Sequence, residues 1–276
     1  MRWEIAFLLF DWCSYYPAMM PTPTNRAYYY ISPSHDPYYN IALEDYIYRQ
    51  LRPFDTVFFL WVNRPSVFMG RYQCAEAEVD LSYLQEQQID LLRRTSGGGT
   101  VYHDEGNLNF SVIKNDLTGQ GFDLASFPIP IQRALARHGV SVERSPRGDL
   151  RLNGLKVGGA AEAVSRGRML YHICLLFDAD LTALEKALAA DPSLGATSRV
   201  ASVRSRVTNL RPHLPEGYTL SDFQREILSV LEEDYEAVLP LAFNKSVEDY
   251  IRDQREQHFE HPDWIHSTIG RGKPSH

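Results

Sequence analysis

Cysteine is scarce in this chain of 276 residues: Cys13, Cys74 and Cys174 are an odd number, widely spaced, with no C-x-x-C pair. That excludes a disulfide framework and argues against a zinc site, so a reducing cytoplasm is the expected home. A membrane span and a signal core are missing too, because the apolar run Ile5 to Phe10 is stopped by Asp11 after six residues. Positive charge is in deficit, with 28 basic against 35 acidic residues and a formal net charge of -7, which argues against a nonspecific nucleic-acid binder. No P-loop of the form G-x-x-x-x-G-K-[ST] occurs, and Gly97-x-Gly99 lacks the third glycine of a dinucleotide fingerprint. Repeats, coiled-coil heptads and low-complexity tracts are absent as well. What is present is an apolar fraction of 44%, enough for a sizeable core in one large domain or two small ones.

The pattern along the chain predicts several strands with helices interspersed. Ala27 to Ser32 reads as a strand, and Asp36-Pro37 opens a helix that continues through Ile47. Thr56 to Val62 and Ser66 to Gly70 read as two buried strands joined into a hairpin by Asn63-Arg64-Pro65. Further strands are expected near 89–94, 108–113, 150–152, 155–157 and 169–177, and helices near 79–87, 129–138, 181–189, 220–234 and 246–257. The expected class is α+β, a largely antiparallel or mixed sheet flanked by helices. Residues 1–20 read as a start-site extension, with translation expected to begin at Met19 or Met20; 21–262 read as the domain and 263–276 as a loose tail.

Chemistry concentrates in Arg93-Arg94-Thr95-Ser96-Gly97-Gly98-Gly99-Thr100-Val101-Tyr102-His103. Three glycines between two strands open backbone angles closed to other residues and let a ligand approach the main chain. Successive N–H groups can then converge on an anion. A glycine-rich turn without a ligand would have the same three residues. Arg93, Arg94 and His103 beside an apolar strand are expected to meet solvent or an anion, since burying them unpaired is costly.

This run resembles the signature of the lipoate–protein ligase A family, relatives of biotin ligases and class II synthetase folds. Other blocks extend the resemblance in order: Asp36 to Glu44, Val67 to Gln73, Gly148 to Leu150, Lys156 to Ala160, His172 to Leu176 and Ser202 to Leu210. Together they span roughly residues 27–270. The resemblance implies activation of lipoate or octanoate with ATP and Mg2+ to an acyl-adenylate, followed by transfer to a lysine of a lipoyl domain. The carrier is expected in a 2-oxoacid dehydrogenase complex or as the glycine-cleavage carrier protein. Lys156 is implied as the catalytic cation between carboxyl and phosphate, a point charge needed most as negative charge builds. Arg94 and the segment Gly97, Gly98, Gly99, Thr100, Val101, Tyr102 are implied to hold the nucleotide, and Arg71, Ser96, His103, Gly158, Ala160 and His172 the lipoate. His172 is equally readable as a hydrogen-bonded core histidine. Asp149 reads either as a Mg2+ ligand or as a turn aspartate.

The Gly-Arg-Gly-Arg loop and Lys-Trp-Pro-Asn-Asp block of biotin ligases do not occur. A cysteine-dependent acyltransferase on the same fold would use a thiolate in place of ATP. Residues 139–155 hold no cysteine, and Cys174 reads as a structural strand residue, so ATP-dependent ligation is expected over a thiolate transferase or a non-catalytic lipoate-binding module. Family members of the best-known bacterial type carry a further C-terminal domain, which would begin after Asp263-Trp264. Three expectations stay open on that account: a separate accessory subunit, transfer from preformed lipoyl-AMP, or exchange between carriers.

Overall fold

Asp36 and Pro37 set the first helix: the Asp36 carboxylate accepts from the Tyr38 N–H at 3.1 Å, and Pro37 occupies the first turn, where a missing N–H costs nothing. The computed structural model describes residues 25–51, 56–116, 119–191, 193, 196–267 and 269; the start-site reading of residues 1–20 lies outside them. Strand β1 (Arg26–Ile31) leads into this helix, α1 (Pro37–Arg49), which is followed by β2 (Thr56–Trp61) and β3 (Ser66–Met69). Two short helices, α2 (Ala75–Glu78) and α3 (Leu81–Glu86), precede β4 (Asp90–Arg93), β5 (Val101–His103) and β6 (Asn107–Asn115). Then come α4 (Ile129–Ala136), β7 (Glu143–Arg144), β8 (Leu150–Leu152), β9 (Leu155–Ser165) and β10 (Arg168–Leu176). The rest comprises α5 (Leu181–Ala187), α6 (Leu220–Asp234), β11 (Ala237–Pro240), α7 (Lys245–Gln254) and α8 (Pro262–Ile265).

Eight strands form one mixed sheet in the order β11-β1-β2-β6-β10-β9-β8-β7, and β4-β3-β5 form a small second sheet. The class is α+β, as expected from the pattern. Strand alternation divides the core. Phe58 and Leu60 of β2 face the layer of α4 and α6, with Phe110, Ile131, Phe223 and Ile227. Val57, Phe59 and Trp61 face the other way, toward α1, α7 and the small sheet, with Ile41, Phe68, Leu92 and Ile251. Each such side chain contributes roughly 1.5–3 kcal/mol on burial.

The expected hairpin of β2 and β3 does not form. β2 pairs with β1 and β6 in the large sheet, whereas β3 pairs with β4 and β5 in the small one. All residues of both strands are buried. Each is an interior strand of its own sheet, and the Asn63–Pro65 connection carries the chain from one sheet to the other.

Arg93 and Arg94 are buried instead of solvated, and main-chain carbonyls take up most of their guanidinium N–H groups. Arg93, 1% exposed, donates to the carbonyls of Gly70, Arg71, Gln73, Trp264 and Ile265. It thereby ties β4 to the turn after β3 and to α8, so residues 263–265, read as the start of a loose tail, are docked helix in this structure. Carbonyl oxygens satisfy the N–H donors of the buried guanidinium without a second charge to desolvate, although burial still lowers the Arg93 pKa.

Candidate active site

The glycine run crosses between β4 and β5 and is shaped from below by Arg94. Its guanidinium donates to Phe68 O at 3.0 Å, Gly97 O at 2.6 Å, Gly99 O at 2.7 Å and Ser96 Oγ at 3.0 Å. Burial lowers its pKa to about 10, which leaves it charged at neutral pH. Gly98 adopts φ +86°, and its carbonyl lies so close to Gly70 that a Cβ there would stand 2.1 Å from the oxygen. Gln73 closes the arrangement: its Oε1 accepts from Gly70 N and Thr100 Oγ1, and its Nε2 donates to Ser202 Oγ at 2.9 Å. Ser202 also accepts from Thr100 N, which straps the 200–203 segment across the run.

On one side of this strap lies an aromatic lobe of about 290 Å³, lined by Ile41, Trp61, Phe68, His103, Ala160 and His172 among others. On the other lies an arginine lobe of about 710 Å³, whose wall includes Tyr102, Gly158, Leu184, Arg204 and Arg206. Thr100, Val101, Lys156, Gly159 and Cys174 belong to both. Lys156 Nζ sits at that junction, 2.9 Å from Asp149 Oδ1 and so near Gly159 that a Cβ there would be 2.8 Å away. The main chain of Lys156 is fixed independently, with its N–H on Arg206 O and its carbonyl accepting from Thr208 N.

The structure thus brings Lys156, Arg94, Gly98, Gly99, Thr100, Val101, His103, Ala160 and His172 to the aromatic lobe, and Tyr102 and Gly158 to the arginine lobe. Ser96 stands behind, with its Oγ 2.8 Å from His172 Nε2. Gly97 and Arg71 line neither lobe; Arg71 packs over the Tyr72 ring. Asp149 is taken up by Lys156, and no group of three His, Cys, Asp or Glu that could hold a metal occurs among the described residues.

Sequence reasoning missed several residues. Glu44, buried in α1, accepts from Ser111 Oγ at 2.6 Å and lies 3.0 Å from His172 Nδ1, so His172 is both hydrogen-bonded and cavity-lining. Arg204 and Arg206 line the arginine lobe. Cys174 is not merely structural: it shares a face with His172 two residues earlier and opens on both lobes. Burial nevertheless raises its thiol pKa, against the lowering effect of Lys156 and Arg94, so the neutral thiol prevails.

His103 is buried instead of solvated, stacked on Phe68 at 4.6 Å. Burial first, then Arg94 and His172, lower its pKa from 6.5 to about 3. Between those values the unfolded chain binds a proton that the folded chain does not, so stability is present above pH 6.5 and falls as pH drops toward 3. Melting at pH 7 and pH 5 should show His103→Phe losing about 1–2 kcal/mol less than wild type on acidification. Equal losses would refute this assignment.

Comparison with known proteins comes to the same place. The chain is 35% identical to lipoate–protein ligase 1 of Staphylococcus aureus over 196 residues, 71% of this chain and 60% of that protein. It is 35% identical to the lipoate-protein ligase LplJ of Bacillus subtilis over 193 residues, 70% of this chain and 58% of that protein. It therefore spans about 60% of the length of these relatives. Its fold matches a chain from the structural analysis of an archaeal lipoylation system, a bi-partite lipoate protein ligase and its E2 lipoyl domain from Thermoplasma acidophilum, at a TM-score of 0.72 and 24% identity, covering 91% of this chain and 99% of that one. The sequence model of the lipoyl protein ligase A/B catalytic domain matches residues 36–232, which takes in the glycine run, both lobes and Lys156, and the chain belongs to that family.

Proposed function

We infer that this chain is an ATP-dependent lipoate–protein ligase, which joins lipoate or octanoate to AMP and passes the acyl group to a lysine of a lipoyl carrier domain. The observation that carries the reading is the wall shared by the two lobes, with the Lys156 ammonium set against Gly159 between them. An acyl chain in the aromatic lobe and a nucleotide in the arginine lobe would meet at that ammonium. The carboxylate oxygen attacks the α-phosphorus, an O–P bond forms, and pyrophosphate leaves with the electron pair. Lys156 faces both anions as their charge builds, where a fixed cation lowers the barrier most. In the second step the carrier amine attacks the acyl carbon, a C–N bond forms, and AMP departs as the amine gives up its proton. That amine is mostly protonated at neutral pH, so the rate depends heavily on positioning.

Mg2+ enters in this scheme with ATP, as part of the substrate. The carrier belongs to a 2-oxoacid dehydrogenase complex or the glycine-cleavage system, and the reaction takes place in the cytoplasm. Among the described residues no helix is long and apolar enough to cross a membrane.

The test mixes purified protein, lipoate, MgATP and an apo lipoyl domain, and follows the added mass and AMP. Transfer from synthetic lipoyl-AMP with none from ATP would assign the first half-reaction to a separate subunit; no transfer from either would refute the reading. Cys174→Ser, which keeps a small polar group at the junction, is expected to retain transfer within about threefold, the usual scale for a near-neutral contact change. Loss of transfer in a folded variant would restore the thiolate mechanism.

A further inference from the structure

Arg93 closes β4 directly before Arg94. Arg94 cradles the glycine run, whereas Arg93 grips two other segments at once. A guanidinium is a rigid plane whose five N–H groups point in fixed directions. Its Nη1 donates to the turn after β3, to Gly70 O at 3.2 Å, Arg71 O at 3.0 Å and Gln73 O at 2.7 Å. Its Nε and Nη2 donate to α8, to Trp264 O at 2.9 Å and to Ile265 O at 3.1 and 2.7 Å. The Trp264 indole answers, with Nε1–H donating to Arg93 O at 2.8 Å. Two further contacts seat α8: the Trp264 ring lies 4.2 Å from that of His258, and Ile265 packs with Met69 and Ala75.

The turn held by Nη1 supports the glycine run in its turn. Arg71 N–H donates to Ser96 O at 2.9 Å, Gln73 Oε1 accepts from Thr100 Oγ1 at 2.8 Å, and Gly70 lies against the Gly98 carbonyl. Contacts therefore run without a break from α8 through Arg93 to residues 70–73 and on to residues 96–100. We propose that Arg93, Trp264 and Ile265 are positioning residues for the nucleotide: docked α8 sets the plane of the Arg93 guanidinium and, through it, the place of the glycine run. This rests on the run being the nucleotide's seat, as in the function proposed above. None of the three lines either lobe, so they act only through the residues they hold.

Without α8 the Nε and Nη2 hydrogens lose their acceptors, and a buried donor without one is unfavourable. The guanidinium then turns toward water or other oxygens and carries the turn with it. The aromatic lobe does not follow. Its walls at Trp61, Ala160 and His172 stand on β2, β9 and β10, which the ladders of the large sheet hold in register. Loss of the α8 contact therefore weakens nucleotide binding and spares binding of the acid.

The test replaces Trp264 and Ile265 together by alanine in the full chain. Calorimetry with MgATP and, separately, with lipoate is paired with KM and kcat for pyrophosphate exchange. MgATP is expected to bind at least about tenfold more weakly, with KM rising more than kcat falls, because misplacement by an ångström is expensive. The Kd for lipoate should stay within about twofold, the scale of a change far from a site. Trp264→Phe with Ile265→Val, which keeps a ring on His258 and the packing on Met69, should return MgATP binding to within about threefold of wild type. Arg93→Lys keeps the charge but offers one nitrogen in place of the fork, and is expected to show the same split between the two ligands. Unchanged MgATP binding in the folded double variant overturns the proposal and leaves the ligase reading intact. Equal weakening of both ligands overturns it too, as does failure of the double variant to fold, since α8 would then support the whole domain and not the run. Wild-type protein that binds neither MgATP nor lipoate would overturn the ligase reading and this proposal with it.

Discussion

Lys156→Ala is expected to lower acyl-adenylate formation by about a hundred- to a thousandfold, the usual loss when one charge-stabilising group is removed from a reacting centre. The melting temperature should barely move. The ion pair that the substitution removes, with Asp149 at 2.9 Å, is partly exposed on both sides, and such pairs contribute about 0–1 kcal/mol. The two measurements are pyrophosphate exchange and a thermal melt on the same preparation. Exchange within tenfold of wild type would remove Lys156 from the mechanism. Loss of exchange with a collapsed melt would make it structural.

Gly70→Ala should have the second large effect, and for a different reason. The new Cβ would overlap the Gly98 carbonyl at 2.1 Å, and that oxygen belongs to backbone held on either side by the Arg94 bonds to Gly97 and Gly99. The glycine run must shift or β3 must bend. Overpacking of this kind costs about 1–3 kcal/mol, and the displaced run should lose adenylation by at least about tenfold, since misplacement by an ångström is expensive in catalysis. Gly97→Ala is the control: nothing lies within 4 Å of a Cβ there, and its φ is not positive. If both variants melt and react alike, the close approach at Gly70 has no importance.

Much of this was legible in the chain itself. Asp36-Pro37, the two buried aromatic strands and the apolar stretch around His172 announce their elements through local pattern, which needs no knowledge of distant partners. The hairpin reading failed because β2 and β3 are both buried on both faces, and such strands carry no alternation to show which sheet each joins. The arginines misled for a related reason. Composition prices Arg93 as a charge seeking another charge, while the fold offers it five carbonyl oxygens from turns far apart in sequence. Cys174 was within reach of the sequence: once His172 is set facing a cavity, the residue two positions on in the same strand must face it too. Glu44, Asn63 and Gln73 gave no comparable signal, since each acts through a partner more than twenty residues away.

The single wall common to both lobes bears on what the site can retain. Two separate occupants each lose translational freedom on binding and can each escape alone. On the function proposed above, once their bond forms across Lys156 and Gly159, one molecule would be anchored at both ends, and release would demand that both ends let go together. Affinity then multiplies with no new contact. On that function, a water-sensitive mixed anhydride would thereby be kept in place longer than either of its precursors, for as long as a carrier lysine takes to arrive.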